Sequence, residues 1–267
     1  MTTRKKIKLN MFDMSKVRDD NVILMLGKRN TGKSFLTRDL LSYHSDIPAA
    51  LVISPTEVSN SFYSKMIPPL FIHDEYHPDI ISNVVSRQKK MVHRSKTDPS
   101  IDPRCMLIMD DCLYDSSKWQ RDTNLRFVFL NGRHIRIMFI LTSQYALGLP
   151  PTMRNNIDYV FILRENLIKS RRLIYENYCG MLENFETFCA VLDQTTEDFE
   201  CLVVCNNTRS NKIEDQIFYY KAGNPPEFRI GSKTFWDMNN ARLDEESSED
   251  DEPADSSRSR KVIVKKV

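Results

Sequence analysis

Glycine is scarce in this chain, seven residues in 267. Two of the seven, Gly27 and Gly32, sit in one loop and frame four polar residues, so the backbone freedom glycine supplies is concentrated at one turn. No apolar run approaches the ~20 residues that cross a bilayer. The polar start MTTRKKIKLN lacks the hydrophobic stretch of a secretory signal. A soluble, intracellular protein is the expectation. The six cysteines show no C-x-x-C spacing, which argues against a zinc ribbon or a dithiol redox motif and favours buried thiols. There is no N-K-x-D element for guanine recognition and no internal repeat at solenoid spacing. HDEYH, residues 73–77, imitates a metalloprotease helix, but Asp74 stands where H-E-x-x-H requires glutamate, and PPLFI before it reads as a strand.

Charge is present but uneven. Residues 244–257, DEESSEDDEPADSS, hold eight acids and no base, and residues 258–267 add five bases. The first 243 residues carry 33 basic and 28 acidic side chains, a net +5 that permits a polyanionic partner. Residues 244–267 lack aromatics and block like charges together, the composition of a disordered tail. With 41% hydrophobic residues, the remainder can bury one large core. The expected organisation is a basic N-terminal segment over 1–20, a single domain over 21–243 and the tail.

Five short apolar runs read as strands covered on both faces: 21–26, 49–54, 105–110, 135–142 and 158–163. Amphipathic stretches alternate with them. SFLTRDLLSYH brings Phe35, Leu36, Leu40 and Tyr43 to helical spacing, and PDIISNVVSRQKKMVH does the same with Ile81, Val84, Val85 and Gln88. LIKSRRLIYENYCGMLENFETFCAVLD predicts one or two helices, and ECLVVCNN with DQIFYYKA a closing strand pair. Strands alternating with helices predict an α/β fold with a central, mostly parallel sheet.

Gly27-Lys28-Arg29-Asn30-Thr31-Gly32-Lys33-Ser34 matches G-x-x-x-x-G-K-[ST] at every position, between a predicted strand and a predicted helix. In such a Walker A loop the glycines let successive N–H groups face phosphate oxygens, and the helix N-terminus adds a favourable dipole. Lys33 is then the β/γ-phosphate ligand and Ser34 a Mg²⁺ ligand. The competing reading is a turn that needs glycine for shape alone. A Walker B acid is expected at the end of a neighbouring strand, where CMLIMDD offers Asp110 for the metal and Asp111 to orient or deprotonate the attacking water. Gln144 ends the next apolar run, and strand alternation puts it on one face with Ile140 and Thr142. It is a candidate to sense the γ-phosphate or hold the water.

Nucleotides bind beyond the C-terminal ends of parallel strands. Arg133 and Arg136 precede the Gln144 strand and Arg154 precedes the next, so all three face away from their own site and could reach only a neighbouring subunit's phosphate. Arg133 ranks first, because Gly132 beside it would permit an exposed turn. That reading predicts a ring. The alternative for each is a surface arginine paired with a carboxylate.

These residues resemble the FtsK/HerA-superfamily genome-packaging ATPases of large DNA viruses, the poxvirus type. The resemblance rests on GKRNTGKS, IMDDC, NGRH before an apolar strand ending in TSQ, PTMRNNIDYVF and IYENYCG, spanning 21 to about 222. It implies a RecA-like fold, ATP and Mg²⁺ as cofactors, and ATP-driven movement of double-stranded DNA into capsids by a homo-oligomeric ring of five or six copies. It implies capsid or vertex proteins as partners and a location in the host cytoplasm, the viral factory or the virion. It also assigns Arg133 the finger position. Asp111 departs from the glutamate common in that superfamily, one methylene longer, which weakens its assignment as base. Candidate DNA contacts are Arg87, Lys89, Lys90, Arg94 and Lys96, or Lys118, Trp119 and Arg121. A nucleoside or nucleotide kinase, or a helicase of the same fold, shares the loop and is the alternative.

Overall fold

The computed structural model of the protein describes residues 7–146 and 148–250. Among the described residues nine strands form one sheet: β1 (Asn10–Met11), β2 (Val22–Leu26), β3 (Ala50–Ile53), β4 (Ile72–His73), β5 (Cys105–Asp110), β6 (Ile137–Ser143), β7 (Tyr159–Ile162), β8 (Glu200–Cys205) and β9 (Ile217–Lys221), in the order β1-β9-β8-β7-β2-β6-β5-β3-β4. Every pairing is parallel except those of β8 with β7 and β9. The five predicted runs are the central strands, and the predicted pair closes one edge as β8 and β9. All five residues of β2 and all seven of β6 are buried. Burial on both faces explains why these runs are continuously apolar rather than alternating.

The pleat sorts that apolar content into two layers. Leu24, Leu107, Met109, Phe139, Leu141 and Val160 face one side, where Val84, Val85, Leu125, Phe129 and Phe188 pack on them. Ile23, Met25, Ile108, Ile140 and Phe161 face the other, against Leu36, Leu40 and Phe235. Each fully buried side chain of this kind stabilises by about 1.5–3 kcal/mol. The helices are α1 (Lys33–Ser42), α2 (Glu57–Asn60), α3 (Pro78–Ser95), α4 (Ser116–Trp119), α5 (Thr123–Asn131), α6 (Pro151–Arg154), α7 (Ile168–Tyr178), α8 (Phe185–Thr195) and α9 (Lys233–Asp250). Asp122 caps α5 by accepting from the Asn124 and Leu125 N–H groups, and Asn184 caps α8 through Thr187. Gln88, which shares the apolar face of α3, is buried because its amide donates to the Pro103 and Ile135 carbonyls, at 2.7 and 3.0 Å.

Several expectations change. The 1–20 segment is integrated into the domain from its second half: β1 pairs with β9, and Phe12, Met14 and Val17 are core residues. Pro68 and Pro69 start a 3-10 turn rather than a strand, and only Ile72 and His73 pair, as proline's missing N–H requires. Helix α9 runs to Asp250, into the stretch read as tail; residues 251–267 lie outside the described ones. Four cysteines are buried, but Cys189 and Cys205 are half-buried. On α1, Leu36 and Leu40 are core, whereas Phe35 and Tyr43 are exposed. Gly132 has ordinary helical angles, so it is not what permits the turn at Arg133; the left-handed residue there is Arg136, at φ 59°.

Candidate active site

Parallel β2, β6 and β5 end side by side, and their loops close over one cleft of about 550 Å³. Lys28, Arg29, Asn30, Gly32, Lys33 and Ser34 line it, with Asp110, Asp111 and Gln144. The loop 27–32 starts where the Gly27 N–H donates to the Ser143 carbonyl at 2.9 Å, fastening it to β6. Gly27 is required by space: a Cβ there would stand 2.6 Å from Leu163 Cδ1 and 2.7 Å from Thr31 Oγ1. Gly32 is required by conformation, at φ 97°, and Asn30 also takes a left-handed angle, 62°. Thr31 ties the loop internally by donating to the Lys28 carbonyl at 2.7 Å. Helix α1 begins at Lys33 without a side-chain cap, leaving its first N–H groups available to an anion.

Lys33 Nζ lies 2.6 Å from Asp111 Oδ2, and Gln144 Nε2 donates to the same oxygen at 3.0 Å. Asp111 Oδ1 is buried with no hydrogen-bond partner among the described residues, and the residue holds a left-handed backbone, φ 49°. A buried carboxylate oxygen with no donor is costly unless something occupies the space beside it. Asp110, opposite Thr142 in the β5–β6 register, accepts from the Thr142 hydroxyl and, at 3.3 Å, from Ser54. Burial holds its carboxyl above the usual aspartate value, opposed by the Thr142 hydrogen bond and the Lys33 charge. Tyr63 is buried against it, and its phenol is pushed well up, by burial first and Asp110 second. The donor set suits Mg²⁺, a hard ion that takes oxygen ligands and keeps its waters: the Ser34 hydroxyl and the Asp110 carboxylate line the same cleft.

The sequence brought these residues together, with one shift: β6 stops at Ser143, and Gln144 is the first residue beyond it. It missed others. Glu165, almost fully buried, pairs with Lys28 Nζ at 2.5 Å and anchors the Leu167 N–H at 2.7 Å. Ser54 and Tyr63 frame Asp110, and Phe199 lines the cleft from the turn before β8. None carries a motif; each arrives from a loop that only the fold brings near.

The arginines lie at the opposite edge, as their positions before β6 and β7 dictate. Arg133 is partly exposed with its guanidinium 3.8 Å from Asp158 Oδ1, and Asp158 accepts from the Val22 N–H at 2.8 Å. Arg154 donates to Asn177 Oδ1 at 2.5 Å, and Arg136 is exposed. Of the two DNA candidates, α3 presents Arg87, Lys89, Lys90, Arg94 and Lys96 to solvent, while Trp119 is buried and Lys118 is paired with Glu75.

The strand order and the loop after β2 define a RecA-like P-loop fold. The genome packaging NTPase B204 from Sulfolobus turreted icosahedral virus 2, solved with AMP, superposes with a TM-score of 0.54 at 17% identity, over 78% of this chain and 100% of that one. The pCW3 conjugation coupling protein TcpA gives 0.52 at 13% identity, over 88% and 66%. No family model matches the chain. In sequence it is 37% identical over 237 residues to the uncharacterized protein L437 of Acanthamoeba polyphaga mimivirus, covering 87% of this chain and 83% of that protein. With 075L of Invertebrate iridescent virus 6 it shares 39% identity over 236 residues, 83% and 88% of the two chains. The chain belongs to this family of large-DNA-virus proteins.

Proposed function

We propose that the protein is an Mg²⁺-dependent ATPase of the FtsK/HerA type that moves double-stranded DNA into viral capsids, in the manner of poxvirus-type packaging motors. The observation that carries the hydrolytic part is the Asp111 carboxylate, shared by Lys33 and Gln144 beside the uncapped start of α1. A triphosphate seated on residues 27–34 offers Lys33 a stronger anion than Asp111. Release of Lys33 leaves Asp111 free to accept the proton of a water attacking the γ-phosphorus, with ADP leaving and phosphate formed. Gln144 holds that water or the γ-phosphate. Ser34 and Asp110 would hold Mg²⁺, which supplies neutralisation of charge on the phosphate oxygens.

The DNA-packaging part is supported by the likeness to B204 and by the large-DNA-virus relatives. Arg133 and Arg154 at the far sheet edge suit action on a neighbour's nucleotide in a ring of five or six copies, which would dock on capsid or vertex proteins in the host cytoplasm or viral factory. The test is phosphate release by purified protein with and without duplex DNA. Stimulation by DNA is expected; a phosphorylated nucleoside product formed without DNA dependence would make it a kinase instead.

A further inference from the structure

Two phenyl rings stand in solvent at the rim of the cleft. Phe35 is 64% exposed and Phe199 65%, and both line the space that holds Lys33 and Asp111. Phe35 lies on the first turn of α1, two residues past Lys33. Phe199 comes from the turn before β8 and reaches Gly32, where a Cβ would stand 3.4 Å from its Cδ1. Among the described residues neither ring packs on another aromatic ring, unlike Phe62 of the same cleft, which meets Tyr63 edge-on at 4.8 Å.

Phe199 is also held in an unfavourable backbone. Asp198 and Phe199 have φ of 47° and 62°, two successive non-glycine residues in the left-handed region. A bulky side chain adopts that conformation only where its surroundings enforce it, and such positions concentrate at functional sites. Here the Glu200 N–H closes the turn on the Glu197 carbonyl at 2.9 Å, and Lys221 pairs with Asp198. The result is a ring projected over the loop rather than folded into the core beneath it.

We infer that Phe199 and Phe35 hold the nucleobase of the bound nucleotide by stacking. The inference rests on the phosphate-binding reading of residues 27–34. A nucleotide whose phosphates sit there must carry its base out along the loop's margin, where these rings meet it. Stacking uses the π-face that every base presents, so this subsite adds affinity with little discrimination between adenine and guanine.

The test compares binding of ATP, GTP and inorganic tripolyphosphate to the full chain by calorimetry. Phe199→Ala is expected to weaken ATP and GTP about tenfold and leave tripolyphosphate unchanged, with a smaller selective loss for Phe35→Ala. In Phe199→Trp, ATP should quench the indole fluorescence and tripolyphosphate should not. ATP affinity unchanged in both alanine variants, or a parallel loss of tripolyphosphate, overturns the inference. So does an equal fluorescence response to both ligands. Wild-type protein that binds neither ATP nor tripolyphosphate would instead remove the phosphate-binding reading on which it stands.

Discussion

Lys33 and Asp111 form an ion pair, Nζ to Oδ2 at 2.6 Å, with side chains only 11% and 19% exposed. The residue that should bind phosphate is thus held by the residue that should activate water, and on the proposed function a bound triphosphate would free both together. Asp111→Asn removes the proton acceptor but keeps the shape. It is expected to retain ATP binding while lowering turnover about 10²- to 10⁴-fold. Lys33→Ala should lose ATP binding itself and leave a partly buried carboxylate without its cation, lowering the melting temperature. Equilibrium binding and single-turnover hydrolysis distinguish the two; equal loss of binding in both variants would deny Asp111 its separate role.

Asp110 should trade stability against activity. Burial raises its folded carboxyl pKa above the 3.8 of an exposed aspartate, so the folded state keeps this proton to higher pH than the unfolded chain does. The group's stabilising contribution is present below the unfolded value and is lost as pH rises through the folded one. Asp110→Asn ends that titration while keeping one acceptor oxygen for the Thr142 hydroxyl and turning its NH2 toward the Ser54 hydroxyl oxygen. Melting curves should show the variant more stable than wild type at about pH 7, by some 2–4 °C per kcal/mol relieved, with the advantage shrinking toward about pH 4. Hydrolysis should fall. A variant less stable at neutral pH would mean that the charged carboxylate is held favourably.

The strands and the motif residues were legible because each is a local pattern: an apolar run buried on two faces, or a loop whose glycines are fixed by spacing. Gly27 and Gly32 carry that signal, and the packing against Leu163 and the φ of 97° are its physical cause. What stayed hidden depends on neighbours far away in sequence. Glu165 looks like any acid in RENL until it meets Lys28, 137 residues distant. Phe35 sits at helical spacing with Leu36, and period alone assigns both to the core; only the cleft at the head of α1 leaves the phenyl outside. The end of α9 is similar, since composition marked residues 244–250 as tail although their backbone continues a helix.

If the protein moves DNA as proposed, helix α3 is the better candidate for the surface that meets it. Arg87, Lys89, Lys90, Arg94 and Lys96 are exposed along it, with Lys89 over the Phe127 ring at 4.6 Å. The triple substitution of Lys90, Arg94 and Lys96 by alanine is expected to weaken duplex binding uniformly across sequences. It should reduce the slope of log affinity against log salt by about 2–3, with stability changed by no more than about 0.5 kcal/mol. Lys118→Ala with Arg121→Ala should do less, because Lys118 already pairs with Glu75. A salt titration of binding decides; an unchanged slope in the triple variant would move the DNA contact elsewhere.

Arg133 tests whether the catalytic unit spans two copies. Its contact with Asp158 is long, 3.8 Å, between a guanidinium 39% exposed and a carboxylate 8% exposed that also accepts from the Val22 N–H, so its loss should change stability by no more than about 1 kcal/mol. Nor does it lie near the cleft of its own chain, from which the length of β6 separates it. A role in hydrolysis can therefore only be exercised on a neighbour. Arg133→Ala is expected to bind ATP normally and to lose about 10³-fold or more of its turnover. Asp111→Asn, with an intact arginine and a defective cleft, is the complementary variant. Mixing the two should restore part of the activity, because in some pairs the Asp111→Asn protomer lends its arginine to the intact cleft of the other. Mixtures that stay as inactive as either variant alone, under conditions where mass measurement shows them co-assembled, would place the stabilising charge on a residue other than Arg133.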